Sequence, residues 1–231
     1  TPYTNRSQLI LMSSQEELAL GEKSYKESLS ELKVITGTKD ALRVQTIGQK
    51  IAVAANQPNY KWEFNLVEDN QANAFCLPGG KVVVYTGILK YAKNDDQLAT
   101  VISHEVAHAL ARHGAERVTQ GMIQQGVGLI GSVAVAATAP QYQNAFNQAY
   151  GLGSNLGVML PYGRMQESEA DEIGIYLMHK AGYNVNEATK FWENMSEDKS
   201  GGNDFFSTHP SSQNRTKDIQ TVINKIGSEA K

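Results

Sequence analysis

The chain has 231 residues, of which 41% are hydrophobic and 19% are charged, and this composition is typical of a compact globular domain. Its formal net charge of -3 excludes the basic surface with which nucleic-acid-binding proteins neutralise phosphates. The single cysteine, Cys76, excludes an internal disulfide and any zinc site built from several thiolates.

Two helices are predicted near the start of the chain. Ser14 followed by Glu17 has the form of a capping box, and it predicts a first helix that ends near Leu32. Thr38 can cap a second helix, in which apolar residues recur at spacings of three and four until a turn at residues 56–59.

A small sheet with an exposed edge is predicted next. In residues 62–67 the hydrophobic side chains alternate, and residues 81–86 are β-branched or aromatic, so both segments are typical of strands. Between them, Pro78 and two glycines mark a turn. The proline suits a sheet edge, which favours an edge position for residues 73–77.

The following helix carries the residues on which a functional assignment depends. Residues 94–97 can form a second capping box, and residues 104–108 read His-Glu-Val-Ala-His. This spacing places both imidazoles on one helix face, one turn apart, where they can bind the same metal ion. Glu105 would then point toward a water on that metal. The surrounding turns are apolar, so this face is expected to be buried, where histidines without a partner would be costly.

A tract without charged residues runs from Met122 to Gly163. Its most apolar part, residues 126–139, is shorter than the roughly 20 residues that a membrane-spanning helix needs. We expect a buried helix of small residues there. The alternative is a surface that contacts a membrane or a partner.

Three helices are predicted after this tract, at residues 164–180, 186–197 and 211–226. Together the elements predict an α+β fold that is mainly helical, with a small β-sheet whose edge flanks the helix of residues 104–108. We expect one domain over residues 1–231, with N-terminal helices at 14–56 and a catalytic core at about 60–215.

A catalytic zinc usually has three protein ligands and one open position, so a third ligand is expected outside the motif. His113 does not supply it in the metzincin manner, because that pattern requires a glycine at Ala111 and a histidine at Gly114. His113 is therefore assigned to the helix surface or to a position behind the ligands.

Two carboxylates on the later helix are better candidates. Glu167 and Asp171 are four residues apart, so they can approach the first helix together, one as a ligand and the other as an orienting group. Asp171 suits the second role, accepting a hydrogen bond from the free ring nitrogen of His104. Glu169 faces another side of the helix and is expected to be solvated.

Several motifs occur in the order found in a known family. They are Asn73-Ala74-Phe75 with Pro78-Gly79-Gly80, residues 84–87, residues 104–108 with His113, Arg164 with Glu167 and Asp171, and residues 208–210 with Arg215. Over residues 66–215 the chain resembles the gluzincin-type zinc peptidases, the M48 family of the CAAX prenyl endopeptidases and HtpX. It is most similar to the soluble periplasmic BepA-like and LoiP-like members.

The resemblance implies a zincin-like metallopeptidase domain that binds one Zn²⁺ per chain. The implied zinc ligands are His104, His108 and Glu167, with Asp171 behind them. Glu105 is the implied catalytic base. His209 is implied to reach the zinc region, where it either stabilises the oxyanion or occupies the fourth coordination position. Arg215 is a further candidate oxyanion donor, or else a structural ion-pair partner.

The implied activity is hydrolysis of peptide bonds in extended or misfolded polypeptides, in envelope protein quality control. Residues Asn73, Ala74, Phe75 and Cys76 would hold such a substrate as an added antiparallel strand. The alternative is a latent zinc-binding chaperone or assembly factor with a plugged active site. The resemblance also implies a periplasmic or cell-envelope location, with a signal segment removed before Thr1 and no membrane span. It leaves room for peripheral or lipoprotein association with a membrane.

Overall fold

The computed structural model describes residues 1–126, 129–130, 133–134, 139–152, 159–198 and 202–229. Its helices are α1 (Ser14–Glu31), α2 (Lys39–Ala55), α3 (Asp95–Leu110), α4 (His113–Gln124), α5 (Ala139–Tyr150), α6 (Arg164–Lys180), α7 (Glu187–Glu197), α8 (Gly202–Thr208) and α9 (Arg215–Glu229). Its strands are β1 (Val34–Ile35), β2 (Glu63–Val67), β3 (Ala74–Leu77), β4 (Lys81–Tyr85), β5 (Leu129–Ile130) and β6 (Val133–Ala134). A 3₁₀ helix (Thr86–Lys90) follows β4.

Strands β1 to β4 form one mixed sheet in the order β1, β2, β4, β3. Strands β2 and β4 are parallel, whereas β1 and β3 run antiparallel to their neighbours. Strand β3 is therefore at the edge of this sheet, and α3 packs against it. The predicted α+β fold, mainly helical with a sheet edge beside the motif helix, is confirmed.

Helix α3 is the most deeply buried element described, because every residue from Gln97 to Ala109 is buried. It packs against α2, α6 and α7 as well as the sheet. Its contact with α6 is close at Gly174, where a Cβ atom would lie only 3.3 Å from the backbone nitrogen of His104. The absence of a side chain at Gly174 thus lets α6 cross α3 directly over the His-Glu-Val-Ala-His motif.

The starts of the first and the last helix differ from the prediction. The N-cap of α1 is Ser13, whose side chain accepts from the backbone of Glu16 while Glu16 accepts from the backbone of Ser13, so the capping box begins one residue earlier. The last helix begins at Arg215 and not at residue 211, because the serines and asparagine at residues 211–214 favour turns. The short elements β1 and α8 were not predicted.

The prediction of a helix at residues 126–139 is wrong for the residues of this range that the structure describes. There, β5 pairs antiparallel with β6. Glycine and β-branched residues have low helix propensity, which explains why small size alone does not make this tract helical. Residues 127–128, 131–132 and 135–138 lie outside the described part of the chain, as does any surface they form. Among the residues described, no helix has both the length and the apolar character needed to cross a membrane.

Candidate metal centre

Helices α3 and α6 bring the three predicted zinc ligands into contact. The Nε2 atoms of His104 and His108 are 3.1 Å apart. The Glu167 carboxylate lies against both rings, with Oε2 3.2 Å from His104 Nε2 and Oε1 3.0 Å from His108 Nε2. Two ligand atoms at zinc-binding distance and at the tetrahedral angle lie about 3.3 Å apart. The observed separations are close to that value.

The hydrogen bonds behind the rings make these atoms suitable for a cation. His104 Nδ1 is 2.9 Å from Asp171 Oδ1, which can only accept when ionised, so the proton of a neutral ring is on Nδ1 and the lone pair is on Nε2. Burial lowers the pKa of His104, but Glu167 and Asp171 outweigh burial and raise it to about 9. The negative charge that holds a proton at this position can equally hold a metal ion, so the residues fit Zn²⁺.

Glu105 is fully buried on the same helix. Neither of its carboxylate oxygens has a hydrogen-bond partner within the described part of the chain, which is rare for a buried charged group. Burial raises its pKa above the ordinary value for a glutamate. A carboxylate with a raised pKa holds a proton more readily than an ordinary glutamate, which suits a group that accepts a proton and then releases it.

His209 lies directly after α8 and joins the same cluster. Its Nδ1 is 2.9 Å from Glu167 Oε1 and 3.4 Å from His104 Nε2, while its Nε2 is 3.4 Å from Glu105 Oε1. One ligand atom from each of His104, His108, Glu167 and His209 lies within 4.8 Å of the others. This position is compatible with both predicted roles, as oxyanion donor and as fourth ligand.

Arg215, at the start of α9, contacts the two carboxylates of α6. Its Nη2 is 2.8 Å from Asp171 Oδ1 and 3.4 Å from Glu167 Oε2, and its guanidinium lies 3.5 Å from the centre of the Trp192 ring. These contacts are those of a structural ion pair that holds Asp171 in place. The role of oxyanion donor stays a prediction.

His113 and Glu169 are both buried behind His108, the first in one of its two predicted positions and the second against its prediction. His113 Nδ1 is 2.8 Å from His108 Nδ1, and His113 Nε2 is 3.1 Å from Glu169 Oε2. The prediction that Glu169 is solvated is wrong, because Thr4 and Arg6 of the N-terminal segment cover its carboxylate. No periodic pattern in the first twelve residues indicated this long-range contact.

Two aromatic rings that were not predicted from the sequence cover the metal centre. Tyr162 stacks on His108 with ring centroids 3.8 Å apart, and Phe205 stacks on His209 at 4.1 Å. As a result, none of the four clustered residues is more than 3% exposed. Tyr162 lies outside any described helix or strand, so periodicity gave no signal for it.

The predicted substrate strand lies beside a groove of about 460 Å³. Asn73, Phe75 and Leu77 line it on one side, and Asp204 and Thr208 of α8 line it on the other. Ala74 also borders the groove, while the Cys76 side chain is buried in the core.

Comparison with known proteins then identifies the family. The profile of peptidase family M48 matches residues 38–223. The chain belongs to peptidase family M48. M48 peptidases are zinc-dependent metallopeptidases, which agrees with the ligand cluster and confirms zinc as the cofactor. The M48 resemblance inferred from the sequence motifs is thus confirmed.

Relatives of this M48 chain include both mitochondrial and bacterial proteases. The chain is 35% identical over 225 residues to the mitochondrial metalloendopeptidase OMA1 of Schizosaccharomyces pombe, covering 95% of this chain and 64% of that protein. It is 32% identical over 245 residues to the Saccharomyces cerevisiae OMA1, covering 97% and 68%. It is 26% identical over 221 residues to the beta-barrel assembly-enhancing protease of Escherichia coli, covering 93% and 45%.

These relatives correct one prediction. The relatives with 30–38% identity are mitochondrial OMA1 proteins, so the prediction of a periplasmic or cell-envelope location is wrong. The motifs could not separate the two groups, because the residues that bind zinc are needed in any compartment. The chain spans between 32% and 68% of the length of the OMA1 relatives from fungi and Arabidopsis thaliana.

Proposed function

We propose that this M48 chain is a zinc-dependent endopeptidase that hydrolyses peptide bonds in extended or misfolded polypeptides. The observation that carries the proposal is the convergence of ligand atoms from His104, His108 and Glu167 beside Glu105, a buried carboxylate without a hydrogen-bond partner among the described residues. The experiment that tests it compares casein cleavage by the zinc-loaded protein with cleavage by a Glu105→Gln variant.

In the proposed mechanism each polar group near the ligands has a separate task. Zinc would supply a nucleophilic water at neutral pH and polarise the scissile carbonyl. Glu105 would take the proton of the attacking water and pass it to the leaving amine, for which its raised pKa is favourable. Asp171 would fix the ring of His104 in the orientation that directs Nε2 at the ligand position. Arg215 would hold Asp171 in turn.

Strand β3 is the proposed binding site for the substrate backbone. The backbone nitrogen of Tyr85 donates to the carbonyl of Asn73, and Ala74 lies opposite Val84 in the antiparallel ladder. Because hydrogen-bonded and non-bonded pairs alternate in such a ladder, the backbone N–H and C=O groups of residues Ala74 and Cys76 point away from β4. An extended polypeptide can add to this side, and a folded protein cannot.

Backbone methylation of a cleaved peptide tests this mode of binding. An added strand uses every second amide, so we expect N-methylation at alternate positions to raise KM up to about tenfold, through loss of one hydrogen bond and a steric clash. Peptides methylated at the intervening amides are the matched controls and should retain the parent KM. An equal effect at successive positions in a steady-state assay would contradict strand addition.

The burial of the cluster favours a second candidate, a latent form in which His209 blocks the centre. His209 is fully buried and one of its ring nitrogens lies within the ligand cluster, where it can take the fourth position in place of a water. We therefore expect His209→Ala to raise the rate of casein cleavage.

Two other results would change this assignment. A fall of about 10²–10³-fold in the His209→Ala variant would instead identify His209 as an oxyanion donor. A chaperone function would be favoured if wild type shows no turnover and Glu105→Gln still prevents aggregation of a denatured protein.

We further propose that residues 1–231 act as one metallopeptidase domain in protein quality control. The N-terminal helix α2 packs against both α3 and α6, so it shares a core with the helices that carry the predicted ligands. Recognition of an extended backbone, and not of a folded surface, suits an enzyme that removes misfolded chains.

A further inference from the structure

The N-terminal segment, residues 1–12, reaches the back of the metal centre. Arg6 Nε is 2.6 Å from Glu169 Oε2, and Thr4 Oγ1 donates to Glu169 Oε1. Arg6 also forms a bidentate ion pair with Glu116 of α4, with nitrogen to oxygen distances of 2.7 and 2.8 Å. The side chain of Arg6 is only 19% exposed, so these ion pairs are partly shielded from solvent.

A chain of hydrogen bonds continues from Glu169 to the proposed ligand His108. His108 directs Nε2 at the ligand cluster, so the proton of its neutral ring is on Nδ1. That proton faces His113 Nδ1 at 2.8 Å, and His113 must then carry its own proton on Nε2, 3.1 Å from Glu169 Oε2. The donor order is therefore fixed as His108 to His113 to Glu169.

The other partners of Glu169 agree with this order. Thr4 Oγ1 and Arg6 Nε both donate to the Glu169 carboxylate from the N-terminal segment. A guanidinium can only donate, so the carboxylate is the acceptor at the end of the chain of hydrogen bonds.

We propose that His113, Glu169 and Arg6 are positioning residues that fix the ring of His108 for zinc binding, which makes the N-terminal segment part of the metal centre. The inference depends on the proposed role of His108 as a zinc ligand. His104 has Asp171 behind it, and His108 has a histidine, a carboxylate and an arginine in series. Loss of such a group behind a ligand typically weakens metal binding about 10–100-fold.

The alternative is that the same residues only brace the fold. Arg6 and Gln166 both bind Glu116, which ties the N-terminal segment to α4 and α6. A brace of this kind would affect the free energy of unfolding without changing the zinc affinity of the folded protein. Zinc affinity is therefore the measurement that separates the two roles.

Asparagine and glutamine at position 113 give a matched comparison. The Oδ1 of asparagine is bonded to Cγ, as Nδ1 of histidine is, so His113→Asn keeps an acceptor opposite His108 Nδ1. Glutamine has the same amide group one methylene further out, closer to the place of Nε2. We expect His113→Gln to weaken zinc binding about 10–100-fold, and His113→Asn, which keeps the acceptor for His108 but loses the donor to Glu169, to weaken it less, by about three- to tenfold.

The experiment measures the zinc dissociation constant of the full chain by competition with a chromophoric chelator at fixed pH. Glu169→Gln and Arg6→Ala are expected to weaken zinc binding in the same direction, about 10–100-fold and about tenfold respectively. They also provide the comparison if His113→Gln does not fold. The controls are Glu187→Gln and Arg43→Ala, which remove carboxylate and guanidinium contacts made elsewhere, and both should bind zinc as wild type does.

Two outcomes separate this inference from the function on which it depends. If wild type binds zinc, and His113→Gln, Glu169→Gln and Arg6→Ala bind it equally well, the positioning role is overturned and the endopeptidase proposal stands. If wild type binds no zinc, the proposed function and the inference fall together. If His113→Asn and His113→Gln both bind zinc as tightly as wild type does, the proposed positioning of His108 by His113 is likewise refuted.

Discussion

Glu105→Gln is expected to abolish peptide hydrolysis while zinc stays bound and the fold stays intact. Glutamine has the shape of glutamate but cannot take a proton from water, and general-base catalysis contributes about 10²–10⁴-fold to such reactions. The fold should tolerate the change, because neither carboxylate oxygen of Glu105 has a hydrogen-bond partner among the described residues, and His209 Nε2 lies 3.4 Å from Oε1. Casein cleavage and zinc content, measured on the same preparation, check this result.

The control for this substitution is a glutamate of the surface helix α7. Glu187→Gln removes a carboxylate that bonds Gln97, Asn94 and Lys190 and lies away from the proposed ligands. It should leave the cleavage rate unchanged. Equal rates for wild type and Glu105→Gln, at equal zinc content, would rule out Glu105 as the base and remove the main support for hydrolysis at this site.

Glu167→Ala is expected to lose both zinc and activity. The carboxylate contacts both motif histidines, so its removal leaves only two of the three proposed ligands. Zinc sites of four ligands bind with about 10–16 kcal/mol, so one ligand accounts for about 2.5–4 kcal/mol, or about 10²–10³-fold in the dissociation constant. Competition with a chelator measures this loss, and casein cleavage should fall below detection at limiting zinc.

A matched control lies five residues further along the same helix. Glu172→Ala removes a carboxylate of equal charge, outside the ligand cluster, and should leave zinc affinity as it is in wild type. Unchanged zinc binding in Glu167→Ala would show that another group completes the coordination. His209 is the described residue in position to do so.

The predictable part of the site was the part encoded by helical spacing. The four-residue spacing of His104 and His108 places both rings on one face of α3, whatever the fold of the rest of the chain. The same spacing places the carboxylates of Glu167 and Asp171 on one face of α6. The bounds of α6 were predicted correctly for a related reason, since Gly182 ends it with a positive φ of 89°. Both patterns are local, so a single sequence contains them.

Contacts between distant segments could not be predicted in the same way. Arg6 and Glu169 are 163 residues apart, and nothing in either neighbourhood specifies the other. Glu169 stands between Glu167 and Asp171, so helical geometry directed it away from the ligands, and solvent was the simplest environment for it. The N-terminal segment occupies that space instead. Short elements such as β1 escaped prediction because two residues are too few to show a period.

The close approach of α6 to α3 at Gly174 affects the geometry of the metal centre. A methyl group there would meet the backbone of His104 and force the two helices apart by a few tenths of an ångström. Glu167 is two turns away from Gly174 on α6, so a shift of this helix would also move the Glu167 carboxylate. The separations between the ligand atoms of α3 and α6 therefore depend on how closely these two helices pack, and a substitution at a residue that binds no metal can alter them.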